Sequence, residues 1–180
     1  MNRWNPIELT RACAATSVPY GERVILDAGG RVEVVQRLGA SITVRTEMGS
    51  LLRIDGADAD ALGLEPVVVD TVSTGEAFEI GQVIDALQNV YDPEIPVSIV
   101  ELGLVYRCGE IIRPDGTLRV EIDMTMTAPG CGMGDVLRAD AIQAVQAIPG
   151  VDEVDVTLVW TPPWNIGRMS EAARLQLGML

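Results

Sequence analysis

The sequence predicts an α/β (α+β) protein: a small N-terminal all-β module, then a compact α-β-β-α-β domain with a mixed sheet and a short C-terminal helix. Three observations support this class. Apolar residues make up 48% of the 180 residues, enough to bury a core. Their spacing alternates in the first third of the chain and includes helical periods afterwards. The charge changes near the same place, since residues 1–75 carry seven arginines against ten acidic residues and the remainder carries six against sixteen.

Four segments follow from these changes. A β-rich module covers residues 1–64, a linker residues 65–75, the α-β-β-α-β domain residues 76–165 and a tail helix residues 166–180. Short strands are predicted in the first module over Val24–Leu26, Val32–Leu38, Ile42–Val44 and Leu51–Ile54, with turn clusters between them. Gly63 closes a helical turn after the last strand. Such spacing is typical of a small barrel or meander, and nothing in the module resembles a chemical site.

A helix opens the second domain. Ser73 and Glu76 have capping-box spacing ahead of helically spaced apolar residues, which predicts a helix over residues 77–90. The turn Asp92–Pro96 stops it, because proline cannot continue the hydrogen-bond ladder. A strand is predicted to start at Leu102.

A hairpin and a second helix come next. Arg113–Gly116 is a turn signal, and the alternation from Leu118 to Met126 predicts a half-buried antiparallel strand. A Gly/Pro loop then leads into a helix that ends at Pro149-Gly150, and Val154–Trp160 alternates as a last strand. Ser170 is the predicted N-cap of a helix reaching Leu177. Trp160 and Trp164 bracket Pro162-Pro163, a segment that is either strapped over the core or a partner-binding polyproline surface, and we favour the strap.

Composition excludes several classes of function. The chain has no histidine, and all thirteen basic residues are arginine. Ser-His-Asp triads, histidine metal sites, Walker-A lysines and Schiff bases are therefore excluded. A net charge of −13 argues against nucleic acid and against an anionic membrane surface. No apolar run is long enough for a transmembrane helix and the N-terminus lacks a signal-peptide core, so we expect a cytoplasmic protein.

Cys131 is the best candidate for chemistry. It stands between Gly130 and Gly132 just before a helix, where backbone N–H groups and the helix dipole favour a thiolate, and we expect a lowered pKa. The alternative is a structural cysteine that packs a strand–helix turn, and the residues alone leave both open. Of the other two cysteines, Cys108 is predicted to be a small core residue, and Cys13 receives no role.

Two carboxylates form a second candidate. Asp92 and Glu94 flank Pro93 on a rigid turn, where they could accept hydrogen bonds or bind a hard cation. Helix termination is the stronger interpretation of this turn. Glu101 is ambiguous in the same way, and Gly103 beside it indicates a bulge or a close backbone approach.

Four blocks of sequence resemble a known family. They are Asp92–Pro96, Glu101–Tyr106, Met126–Met133, and a tail with Pro162-Pro163-Trp164 and Ser170–Gly178. Together they resemble the metal–sulfur cluster assembly family that includes the cytosolic iron–sulfur targeting factors, and the tail and N-terminal module look like the SufT branch. The resemblance implies a compact α/β domain with the motif cysteine exposed in the loop before a helix. Gly132 stands where many relatives have proline.

The resemblance also implies a function. It suggests a non-enzymatic accessory factor in iron–sulfur protein maturation, a transient carrier or target adaptor, with Cys131 as its thiol and metal ligand and Asp92 and Glu94 in the facing motif. Its partners would be an assembly scaffold and apo client proteins. A [2Fe–2S] cluster takes about four ligands, so one held here would be shared, for example across a homodimer. The alternatives are a subunit of a phenylacetyl-CoA-type oxygenase complex and a thiol enzyme that uses Cys131.

Overall fold

The computed structural model describes residues 4–66 and 78–179. The chain divides into two compact units, Met1–Asp70 and Thr71–Leu180, which are described separately below. The predicted capping box of Ser73 and Glu76 and most of the predicted linker lie outside the described residues. No helix in the described parts of the chain is long and apolar enough to cross a membrane.

Unit 1 is a six-stranded antiparallel sheet. Its strands are β1 (Ile7–Glu8), β2 (Cys13–Val18), β3 (Arg23–Leu26), β4 (Arg31–Leu38), β5 (Ser41–Thr46) and β6 (Leu51–Asp55), in the spatial order β1-β4-β5-β6-β2-β3. The core lies between one face of this sheet and a 3-10 helix, Gly56–Leu62. That helix begins at Asp55, whose side chain accepts from Ala57 N at 2.9 Å, and ends at Gly63 with φ +67°, as predicted.

The first module contains more strands than the sequence predicted. The four predicted strands correspond to β3–β6, but β3 pairs with β2, so the meander is confined to β4, β5 and β6. Strand β2 was not predicted because its hydrophobic alternation is weak. The buried Cys13 and Ala15 are small, and the residues between the buried positions, Ala14, Thr16 and Ser17, differ little from them in hydrophobicity. Pairing with β6, a contact between distant parts of the sequence, stabilises it.

Unit 2 has the predicted α-β-β-α-β order with a mixed sheet. Its elements are α1 (Ile80–Leu87), β7 (Val105–Ile112), β8 (Leu118–Met124), α2 (Gly134–Gln146), β9 (Glu153–Leu158), a 3-10 turn (Ile166–Arg168) and α3 (Glu171–Gln176). Strand β7 pairs antiparallel and β9 parallel with the central β8. Both long helices pack on the face of the sheet that carries Val120, Ile122 and Met124, which are at most 1% exposed.

The opposite face of this sheet is polar, as the alternation predicted. Arg119, on the central strand, donates to Glu153 at 3.0 Å and to Asp155 at 2.7 Å, both on β9. On the other side, Arg107 of β7 donates to Asp123 at 2.7 Å. Cross-strand ion pairs therefore connect the three strands on the polar face of the sheet.

Several element boundaries differ from the prediction; α1, for example, ends at Leu87 instead of residue 90, and β9 ends at Leu158 instead of Trp160. Helix α1 starts at Ile80, where the Gln82 side chain accepts from Glu79 N at 3.2 Å. Strand β7 starts at Val105 instead of Leu102, because Leu102 and Gly103 form a turn before it. The C-terminal helix matches its prediction, with Ser170 as N-cap accepting from Ala173 N at 3.0 Å.

Candidate functional site

Cys131 lies in an exposed loop with buried ends. The loop leaves β8 through Thr125 and Met126, which are 1% and 2% exposed, and enters α2 through the fully buried Met133. Between these ends, Ala128, Pro129, Gly130 and Gly132 are exposed. The Cys131 side chain is partly buried and packs against the core cluster of unit 2, and its carbonyl accepts from Gly134 N at 3.3 Å. Cys131 is thus a partly buried residue within an otherwise exposed loop.

Glycines on both sides of Cys131 leave its surroundings uncrowded. Gly130 has φ +78°, a left-handed conformation, and a Cβ built on it would have no neighbour within 4 Å. Helix α2 begins immediately after the loop, with Met133 at the N-cap position and no side chain capping its N–H groups. A ligand could therefore approach the loop at its exposed glycines, whereas the first residues of the helix, Met133 and Gly134, are buried.

Asp92 and Glu94 differ in their environments. Asp92 is 4% exposed, and its Oδ1 accepts from Glu94 N at 2.8 Å and from Ile95 N at 2.9 Å. Burial raises the pKa of Asp92, and these two hydrogen bonds oppose the rise. Glu94 is exposed. Asp92 thus shapes the turn after α1, while Glu94 presents its carboxylate to solvent.

The structure places the predicted site residues in one unit without bonding them together. Cys131 and Ile95, from the turn that Asp92 shapes, pack against the same core cluster. Within residues 4–66 and 78–179, no hydrogen bond or ion pair joins Cys131 to Asp92 or Glu94. In the same ranges, no group of three or more Cys, Asp or Glu side chains is placed to hold a metal ion. Cys131 would therefore supply one ligand of a larger set.

The other two thiols are packed into the protein. Cys13 is 5% exposed in the core of unit 1, and burial raises its pKa. Cys108 on β7 is partly buried against the core of unit 2, and burial raises its pKa as well. The prediction that Cys108 is a small core residue is confirmed. A protonated, packed thiol is a poor nucleophile and a poor metal ligand, so these two cysteines stabilise the core.

The Glu101–Tyr106 motif holds the C-terminal segment, residues 161–179. The Trp164 indole N–H donates to Leu102 O at 2.8 Å, and the Tyr106 hydroxyl donates to Pro162 O at 2.9 Å. Ser170 N donates to Glu101 O at 2.9 Å, and the Ser170 hydroxyl donates to the Glu101 carboxylate. The strap interpretation of the tail is confirmed, and Glu101 is identified as its anchor.

Sequence reasoning favoured the strap but did not identify its partners in the Glu101–Tyr106 motif. Gly103 was predicted to mark a bulge or a close backbone approach, and the close approach is present. Gly103 has φ +70°, and a Cβ there would collide with the Arg168 carbonyl oxygen and stand 2.8 Å from its carbonyl carbon. The partners of the motif lie about 60 residues further along the chain, so no local pattern could name them.

Comparison with known proteins identifies the family. The model of the iron-sulfur cluster assembly protein family matches residues 81–156, inside unit 2. A "Fe-S protein maturation auxiliary factor" of Porphyromonas gingivalis is 41% identical over 54% of this chain and 90% of its own length. YitW of Bacillus subtilis is 37% identical over 54% of this chain and 91% of its length.

A third relative belongs to the branch that the sequence resembles. SufT of Staphylococcus aureus, named a "Fe-S protein maturation auxiliary factor", is 40% identical over 50% of this chain and 98% of its own length. The relatives therefore match over nearly their whole length, and their matches cover about half of this chain. The resemblance noted in the sequence is confirmed. This chain belongs to the iron-sulfur cluster assembly protein family and is similar to the SufT and YitW maturation factors.

Proposed function

We propose that this protein is an accessory factor in iron–sulfur protein maturation, acting through Cys131 as a transient cluster carrier or as an adaptor for apo clients. The observation that carries the proposal is the placement of Cys131, a partly buried thiol in an otherwise exposed loop whose two ends are buried. The names of the relatives support this class of function. Delivery, not turnover of a metabolite, is the proposed role.

The cluster is cargo in this proposal. A [2Fe–2S] cluster takes about four ligands, and one Cys131 thiol supplies one. Two copies of the chain would supply two thiols, with external ligands completing the set. Gly130 and Gly132 leave room for the cluster, and Glu94 is the exposed carboxylate of the turn that Asp92 shapes. A cluster held by so few protein ligands is easily released, as a carrier requires.

The proposed partners are an assembly scaffold and apo iron–sulfur proteins in the cytoplasm. Residues 76–180 carry six arginines against sixteen acidic residues. This excess of negative charge favours partners with basic surfaces over nucleic acid, and it would make association depend on salt.

Anaerobic reconstitution tests the carrier form. Wild type, Cys131→Ser and Cys108→Ser are supplied with ferric iron and sulfide, and visible absorption then reports the cluster. We expect wild type and Cys108→Ser to form it and Cys131→Ser to lose most of it. The loaded proteins are next mixed with an apo-ferredoxin, and we expect transfer from the first two alone. A Cys131→Ser variant that loads and transfers like wild type would contradict the carrier form.

The adaptor form has its own test. If wild type and Cys131→Ser load equally poorly, the carrier form fails. Recovery of activity in an apo iron–sulfur dehydratase is then measured with a loaded scaffold present. We expect acceleration by wild type and Cys108→Ser and little by Cys131→Ser. Equal acceleration by all three would exclude a role for Cys131 in either form.

A further inference from the structure

The C-terminal segment, residues 161–179, contacts two of the family blocks at once. It binds the Glu101–Tyr106 block through Pro162, Trp164 and Ser170. It reaches the Asp92–Pro96 block through Gln176, whose side-chain amide donates to Pro96 O at 3.1 Å. Both Met169 and Ala173 are buried in the core, at 4% and 2% exposure. The segment is therefore packed into unit 2 along much of its length.

Close approach at Gly103 makes this docking specific. The Arg168 backbone passes so near to Gly103 that any side chain would collide with it. The Arg168 guanidinium in turn stacks over the Tyr106 ring at 4.0 Å from its centre. Gly103 thus contacts the backbone of Arg168, and Tyr106 contacts its side chain.

The docked motif also supports the start of the Cys131 loop. Leu104, fully buried between Gly103 and β7, accepts from Thr125 N at 2.8 Å through its carbonyl oxygen. Thr125 is the first residue after β8 and is itself 1% exposed. This hydrogen bond continues the β7–β8 pairing, in which Val105 lies opposite Met124, and it connects the motif that holds the segment to the chain that leads to Cys131.

The C-terminal end of the Cys131 loop packs against the end of β9, from which the same segment continues. A Cβ built on Gly134, the first residue of α2, would lie 3.4 Å from Leu158 at the end of β9 and 3.7 Å from Met126. Val159, just before the segment, donates from N to Met124 O at 2.8 Å. Both ends of the loop thus lie beside residues that either bind the docked segment or directly precede it in the chain.

We propose that the C-terminal segment is a positioning element for Cys131, with Gly103, Tyr106 and Trp164 as positioning residues that act through the Leu104–Thr125 hydrogen bond. The inference rests on the proposed function of Cys131 and extends it. Undocking the segment would loosen the loop base while leaving Cys131 and its glycines unchanged. Support of this kind around a ligand commonly changes binding or activity about tenfold.

The test uses the full chain with two variants and a matched control. Gly103→Ala blocks the approach of Arg168, and Trp164→Phe keeps an aromatic ring but removes the bond to Leu102. Gly116→Ala is the control, because Gly116 also has a left-handed backbone, φ +87°, but no neighbour within 4 Å of a built Cβ. The measurements are the alkylation rate of Cys131, cluster transfer to apo-ferredoxin, and cleavage of the segment by a carboxypeptidase.

We expect both test variants to expose the segment to the carboxypeptidase, to raise the Cys131 alkylation rate several-fold and to slow cluster transfer about tenfold. The control should behave like wild type in all three measurements. If the segment becomes cleavable while alkylation stays at the control rate, the inference is wrong. If Cys131→Ser transfers as well as wild type, the proposed function fails instead. Should Gly103→Ala not fold, Trp164→Phe decides the question.

Discussion

The burial and hydrogen bonds of Asp92 indicate a structural role in the turn after α1. The family motif places a carboxylate there, yet the side chain is buried and bonded to its own backbone at Glu94 and Ile95. In the turn, Oδ1 accepts both backbone hydrogen bonds, whereas a ligand would depend on the negative charge of the carboxylate. Since asparagine keeps the Oδ1 acceptor and loses the charge, substitution can separate the two roles.

We expect Asp92→Asn to preserve the fold and the reactivity of Cys131. Asp92→Ala should lower the free energy of unfolding by about 1 kcal/mol, because two partly buried N–H groups lose their acceptor. Urea denaturation of both variants checks this. A requirement for charge at position 92, seen as equal loss of cluster transfer in both variants, would contradict the turn-forming role.

The raised pKa of Asp92 predicts a dependence on pH. A carboxyl with a higher pKa in the folded state stabilises the fold below its unfolded pKa, and that contribution is lost as the pH rises through the folded pKa. Asp92→Asn removes this loss. We expect wild type and Asp92→Asn to differ least near the unfolded pKa and the variant to gain in relative stability towards neutral pH. Thermal melts across that range give the measurement, and a gap of the opposite sign would contradict the prediction.

The three cysteines should react in a fixed order. Cys131 is partly exposed in its loop, whereas burial raises the pKa of both Cys13 and Cys108. We expect an alkylating reagent to modify Cys131 first in the native protein and to reach Cys13 only on unfolding, as mass spectrometry of timed samples would show. Native labelling of Cys13 at the rate of Cys131 would mean that unit 1 opens frequently.

Helix α3 is part of the C-terminal segment, and its N-cap residue also attaches the segment to the Glu101–Tyr106 motif. Ser170 caps it and donates its hydroxyl to Glu101, so the residue serves the helix and the motif together. Ser170→Ala should cost about 1 kcal/mol of unfolding free energy, and Ser170→Thr should recover most of it. Ser170→Asp, ordinarily a good cap, should be destabilising, because its carboxylate would face Glu101. Urea denaturation distinguishes these outcomes, and a stable Asp variant would contradict the assigned contact.

The solvent face of the three-stranded sheet depends on Arg119. It pairs with Glu153 and Asp155 and lies 3.3 Å from Glu121. We expect Arg119→Met to lower stability by about 1 kcal/mol at low salt, since three carboxylates then repel one another. Added salt should reduce the loss by screening that repulsion. A loss independent of salt would indicate packing of the arginine stem as the cause.

At the scale of the molecule, the two units have separate cores. Unit 2 buries seventeen residues in its own cluster, and unit 1 buries another set. The relatives align with about half of this chain, and that alignment covers nearly their whole length. We therefore expect a fragment of residues 71–180 to fold cooperatively, with Cys131 as reactive as in the full chain. Circular dichroism and alkylation provide the check, and an unfolded fragment would show that unit 2 requires unit 1.

Sequence alone determined much of this protein because its strongest signals are local. The alternation from Leu118 to Met126, the turn at Arg113–Gly116 and the cap at Ser170 each depend on neighbours within a few residues. They predicted the order of elements in unit 2, and the placement of Cys131 in a glycine-flanked loop followed from them. The glycine at position 103 also predicted a bulge or a close backbone approach, because glycine has no side chain.

Tertiary structure decided what depends on contacts between distant residues. Strand β2 has little apolar contrast and is a strand because it pairs with β6, about 35 residues away. The burial of Asp92 and its two backbone hydrogen bonds in the turn after α1 also appear only in the folded chain. The Glu101–Tyr106 motif acquired its role from partners beyond Thr161. Side-chain pattern reports local geometry, whereas burial and long-range hydrogen bonds exist only after the chain has folded.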